Sequence, residues 1–174
     1  MNSDIEYHLN QIRGKKLRDI GRAANIIWLN FIDLAIEKEY EGKDILSGSL
    51  CLHVQCPCRM IDKEDRKIIF ASSDIYVPNS SIEWSDNFEW DIQGNNLFDE
   101  KSKKWLASSG KIFINDYKFN IFGDLKLILS NGNIFEALIN SSSKDECWRL
   151  FEKNSDKDHF VVTGQKVIFE YENE

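Results

Sequence analysis

Apolar and polar residues alternate with period two along most of this chain, and only two stretches shift to helical spacing. In the first, Ile5, Leu9 and Ile12 recur on one helical face behind a Ser3–Glu6 capping box, and Gly14 stops the run, which predicts a short helix over residues 4–12. In the second, Leu97, Trp105 and Leu106 predict a helix over 96–108, capped by Asn95 or Asn96 and ended before Gly110. Strands are expected at 17–22, 26–31, 50–61, 67–76, 111–121, 124–130, 133–139, 147–152, 159–163 and 167–171. The 50–61 stretch reads as one long strand. Leu50, Leu52, Val54, Cys56 and Cys58 share one face, with an edge or bulge at Pro57, which has no N–H to donate. Charged residues 33–48 read as a loop, and Asn131-Gly132 as a type I′ hairpin turn. The fold class is α+β: mainly antiparallel β-meanders with two short helices.

The two ends of this pattern can be laid over one another. Each begins with a helix closed by a Gly-Lys pair, Gly14-Lys15 and Gly110-Lys111. Each continues through an alternating strand at Trp28–Phe31 or Leu125–Ile128, then a second arm at Leu50–Gln55 or Ile134–Asn140. An arginine among apolar residues comes next, Arg59 or Arg149, followed by Ile69–Ala71 or Phe160–Val162. The expectation is one domain over 1–174, with repeated halves of about 3–81 and 96–171 packed into one core. Segment 82–95 joins them.

Composition adds few exclusions. The chain has 174 residues, 42% hydrophobic and 29% charged, which fits a packed globular chain rather than a disordered one. The net charge of −7 argues against nucleic acid as a partner, because phosphate neutralisation needs clustered Lys and Arg. No basic N-terminal region leads into an apolar run, and no apolar run approaches the 18 or so residues needed to span a bilayer. The expected location is therefore cytoplasmic, away from membranes, with the four cysteines reduced.

Common catalytic motifs are absent: no Walker A loop, no GxGxxG, no GxSxG and no HExxH. Cys51-x-His53-x-x-Cys56-x-Cys58 has zinc-like ligands. Its members alternate along a strand instead of pairing across a tight turn, so they read as buried packing residues, with no metal or cofactor expected. The densest surface feature runs from Ile82 to Glu100, which holds six acidic residues and no basic one. Trp84, Asp86, Trp90, Asp91 and Asn95 are its candidates for contact with a basic protein. Arg59 and Arg149 hold matching places in the repeat, could pair with Asp91 or Asp74, and are candidates for anion binding, as is Arg22. His159 completes the polar set.

Several of these segments together resemble a family of uncharacterised bacterial proteins. They are Leu52-His53-Val54-Gln55-Cys56-x-x-Arg59, Trp90-Asp91-x-x-Gly94-Asn95-Asn96-Leu97-x-Asp99, Cys147-Trp148-Arg149-Leu150-Phe151 and His159-Phe160-Val161-Val162-Thr163-Gly164. Ser73–Tyr76 and Gly21–Asn25 fit as well. The resemblance implies a bacterial source and a single full-length unit, and no reaction. Similar proteins tend to carry Trp where Cys58 stands, which mirrors Trp148-Arg149 and favours the duplication. The first functional reading is a non-enzymatic interaction protein of the immunity or inhibitor kind, by analogy with small acidic toxin-neutralising proteins. The alternative is a small-ligand-binding protein or an enzyme, with Arg59, Arg149, Asp91 and His159 around a cleft between the halves.

Overall fold

The computed structural model describes residues 3–33, 49–153, 155–156 and 159–170. Among the described residues, eleven strands form one antiparallel sheet: β1 (Lys16–Ala23), β2 (Ile26–Ile32), β3 (Leu50–Val54), β4 (Cys58–Asp62), β5 (Lys67–Ala71), β6 (Ile112–Phe119), β7 (Leu125–Leu129), β8 (Ile134–Ala137), β9 (Glu146–Glu152), β10 (His159–Thr163) and β11 (Val167–Glu170). Helix α1 (Ser3–Asn10) precedes β1 and helix α2 (Leu97–Ser108) precedes β6, while a 3-10 turn covers Ser72–Tyr76. The class is α+β and mostly β. The loop expected at 33–48 lies, but for Asp33, outside the described residues.

The strand order is β11-β10-β9-β3-β2-β1-β6-β7-β8-β4-β5. Exchange β1–β5 for β6–β10 and, β11 apart, it reads the same from the other end. Each half makes a three-strand meander and then sends its next hairpin across to the other half. Hairpin β4–β5 extends β8, and β9–β10 extends β3. The correspondence reaches single residues. A bulge interrupts β1–β2 between Leu17 and Asp19, and another interrupts β6–β7 between Ile114 and Asp116. Arg149 lies opposite His53 and Val161, while Arg59 lies opposite Glu136 and Ala71. The halves meet where Lys16 pairs with Phe113. Gly14 N–H donates to Ile114 O at 2.8 Å, and Ile114 N–H to Lys15 O at 3.0 Å.

The helices follow the same rule. On α1, Leu9 is buried, as is Ile12 in the turn after it; His8 stacks on Phe160 of β10 at 5.8 Å, and Asn10 accepts from the Tyr117 hydroxyl of β6. Helix α2 packs on β5 and β1, with Phe70 edge-on to Phe98 at 5.4 Å and to Trp105 at 5.9 Å. Asn96 caps α2 by accepting from Asp99 N–H at 2.9 Å. One contiguous apolar core unites both halves, from Leu29 and Leu52 to Leu127 and Phe135.

Three expectations change. The 50–61 stretch is two strands, not one. It breaks at Gln55–Pro57, where the Gln55 and Cys56 N–H groups donate to Cys147 O, and β4 departs for the opposite side of the sheet. The 67–76 strand stops at Ala71, because the Asp74 carboxylate takes the Ala71 N–H and the chain turns. The Asn131-Gly132 turn is a three-residue loop, Ser130–Gly132, closed by Leu129 N–H on Asn133 O. Only Gly132 is left-handed, at φ +83°.

Candidate functional site

The segment from Val77 to Asn96 leaves and re-enters the fold at one point. Leu97 N–H donates to Val77 O at 2.8 Å, Asn79 N–H to Asn95 O at 2.8 Å, and the Asn79 amide to Gly94 O at 2.6 Å. Above this neck, Glu100 accepts from the Ser80 N–H and hydroxyl, and those two bonds hold its carboxyl below the usual range. Loops closed in this way keep their own shape.

Arg22 anchors the loop from beneath. It stands next to the last residue of β1 with no exposed surface, one of the largest side chains so placed. Its Nε and Nη2 donate bidentately to Asp99 at 2.8 Å each. Nη2 also donates to the carbonyls of Trp90 and Ile92 at 3.1 and 3.0 Å. Nη1 donates to those of Ala24 and Asp91 at 3.1 and 3.3 Å. The Asn96 amide takes Trp90 O at 2.9 Å, and Asp99 also accepts from Gly94 N–H at 2.7 Å. A buried charge is tolerated only when paired and fully bonded, and this one is both.

What the loop presents is acidic and aromatic. Trp84 is 68% exposed at the tip, 6.1 Å from Phe88 by ring centres. Glu83, Asp86, Glu89 and Asp91 are exposed around it. Trp90 is half-buried against Tyr76 at 5.1 Å, and the Asn95 amide reaches Glu89 O. Trp84, Asp86, Trp90, Asp91 and Asn95 therefore share one structured element.

The other sequence candidates lie elsewhere. Arg59 bonds Glu136 at 2.8 Å, and Lys126 reaches the second oxygen of that carboxylate at 2.7 Å. Burial pushes the Glu136 carboxyl up, but these two cations outweigh it and hold it below the usual range. Arg149 pairs with Glu146 and donates to His159 Nδ1 at 3.0 Å. Arginine has no acceptor, so His159 Nδ1 accepts and the ring proton sits on Nε2. His53 lies beside this cluster, edge-on to Phe151 at 4.8 Å, and burial followed by the Arg149 charge lowers its pKa. The expected pairing of Arg59 and Arg149 with Asp91 or Asp74 is thus replaced by Glu136 and Glu146, while Asp74 meets Lys101. Arg59 on β4 and Arg149 on β9 thus each sit with their own glutamate, on strands that are not neighbours in the sheet.

All four cysteines are buried thiols. Burial raises Cys51 and Cys56 to about 12 and also raises Cys58 and Cys147, so none offers a thiolate near neutrality. Among the described residues, no three His, Cys, Asp or Glu side chains gather around a point that would hold a metal ion.

Two features escaped the sequence reading. Asp99 is the partner of Arg22, and Ile121 and Phe122 form an exposed apolar lip on the β6–β7 loop. The second was signalled by two bulky apolar residues between Asn120 and Asp124. Compared with known proteins, the chain matches no family model, no curated protein and no solved structure.

Proposed function

We propose that this protein works by binding another protein, through the acidic–aromatic loop 82–95, and that the partner surface is basic. The carrying observation is the anchoring of the loop on Arg22 and Asp99 while Trp84 and four carboxylates stay in water. A loop ordered before binding avoids much of the entropy cost of association. An exposed tryptophan supplies contact area, and the surrounding carboxylates steer and select a cationic face. This role is of the immunity or inhibitor kind, in which occupying a partner is the whole activity. It fits a bacterial, cytoplasmic member of the uncharacterised family that the motifs resemble.

The ancestry we infer is duplication of one unit, a helix followed by five strands, with each copy's last hairpin exchanged onto the other. The matched bulges and arginines support this reading.

The test is photo-crosslinking from position 84 in cells of the native host. The expected product joins one basic protein. It is lost when Glu83, Asp86 and Asp91 are reversed to Lys, and it weakens as salt rises. A product that survives charge reversal, or none above that from a crosslinker at Lys67, would overturn the reading.

A further inference from the structure

We propose that the outer face of strands β6, β7, β8, β4 and β5 receives the acidic–aromatic loop of a second copy of this chain, joining copies head to tail. Two rows of side chains cross that face. One is aliphatic: Ile128 of β7 lies opposite Ile134 of β8, Ile134 opposite Ile61 of β4, and Ile61 opposite Ile68 of β5. Ile68 is 52% exposed, and Ile61, Ile128 and Ile134 are half-buried. Helix α2 packs on the other face, through Phe70. Contiguous aliphatic side chains left partly in water mark a contact surface.

The neighbouring row is cationic. Lys118 of β6 lies opposite Lys126 of β7, Lys126 opposite Glu136 of β8, and Glu136 opposite Arg59 of β4. Glu136 takes Lys126 on one oxygen and Arg59 on the other, so the row holds three cations and one carboxylate. Lys118 has no ion-pair partner among the described residues. Like charges directly across a ladder repel, and a carboxylate arriving beside Lys118 and Lys126 relieves that repulsion. Asp116, opposite Ile128 at the head of the aliphatic row, is already taken by Arg13.

Loop 82–95 carries the complementary set. Trp84 and Ile92 are exposed apolar side chains, and Glu83, Asp86, Glu89 and Asp91 stand in water with them. The loop is seated on Arg22 and Asp99 with Trp84 in solvent, so it does not cover the isoleucine row of its own chain; a second chain supplies it. The two surfaces differ, so the contact is heterologous, each copy offering a loop at one place and a face at another. The net charge of −7 per copy opposes approach, but at about 0.15 M salt the screening length of about 8 Å mutes that opposition while touching pairs keep their attraction. A copy whose loop is seated is closed to any other partner, so self-association regulates the loop. The inference rests on the loop being the contact surface of this protein.

Sedimentation of the purified full chain over a concentration series tests it. The weight-average mass should rise above that of one chain. W84A removes the anchor of the loop, and K118E/I128T spoils both rows while keeping a β-branched residue at 128. Each should weaken association roughly tenfold or more, as loss of an anchoring contact does, with folding checked by circular dichroism. An equimolar mixture of the two variants should pair and stop at the pair, because W84A keeps an intact face and K118E/I128T an intact loop. A wild-type chain that stays monomeric, association that survives either variant, or a mixture that does not pair would overturn the proposal. Crosslinking from position 84 to a basic host protein needs no isoleucine row, so it should persist in K118E/I128T, and its failure would belong to the loop's own role instead.

Discussion

Arg22 shows how much one side chain can organise. Its guanidinium holds a carboxylate and four carbonyls drawn from three separate stretches of chain. Removing one partner of a buried pair strands the other, at a cost of about 3–5 kcal/mol. Arg22→Met should therefore lower the unfolding free energy measured by urea titration by that margin, and open the 82–95 loop to trypsin and chymotrypsin before global unfolding. Unchanged loop protection would show that the neck bonds suffice alone. The sequence marked Arg22 only as a cation beside a glycine, because Asp99 and the three loop carbonyls come from far along the chain. The cysteines were more legible. Four small soft side chains on alternating strands read as packing, and their buried, protonated thiols agree. Ellman's reagent at pH 8 should react with none in the native protein and with all four in guanidinium.

Elements were readable where a local signal governs them. Helix α2 begins at the expected cap and ends two residues before Gly110, whose φ of +65° needs glycine. Period two located the strands, since it requires only that one face be buried. It could not show that the strand stops at Val54 and that the next one, after Pro57, joins β8, because β8 lies far downstream. Close approaches between elements are equally silent in sequence. Gly164 lies so near the turn after Ile139 that an added Cβ would stand 1.9 Å from Ser141 O. Its obstacle is backbone, which cannot rotate aside, so Gly164→Ala should cost about 1–3 kcal/mol by overpacking. A thermal midpoint equal to wild type would show that the two turns part freely.

For the whole molecule, the exchanged hairpins make each half depend on the other. Each contributes strands to the other's part of the sheet around one core, so unfolding should be a single cooperative transition. Tryptophan fluorescence and far-UV circular dichroism should give coincident urea curves; two resolved transitions would mean that the halves are independent. The pH dependence also reports on both halves. His53 and Glu136 occupy matching positions, and both have folded pKa values below their ordinary ones. Their contribution is complete above the ordinary values of 6.5 and 4.5 and is lost as the pH falls through the folded ones. Stability should thus decline on acidification, with His53→Gln flattening the slope that begins near pH 6.5 and Glu136→Gln the one that begins near pH 4.5. The sequence showed an order of motifs, but not which strands pair, because β4 beside β8 and β4 beside β3 present the same strands in the same order.

That exchange also has a direction in time. When β8 leaves the ribosome, its partner β4 is already made and waiting, and the five strands from β6 to β5 can close at once. Strand β3 has no such luck: the edge that Leu50–Val54 offers stays bare until Trp148–Glu152 is synthesised. All five strands of that part of the sheet are thus available before β9 is made. The half encoded first spends most of translation with an unpaired strand edge, the kind of surface that holdase chaperones cover.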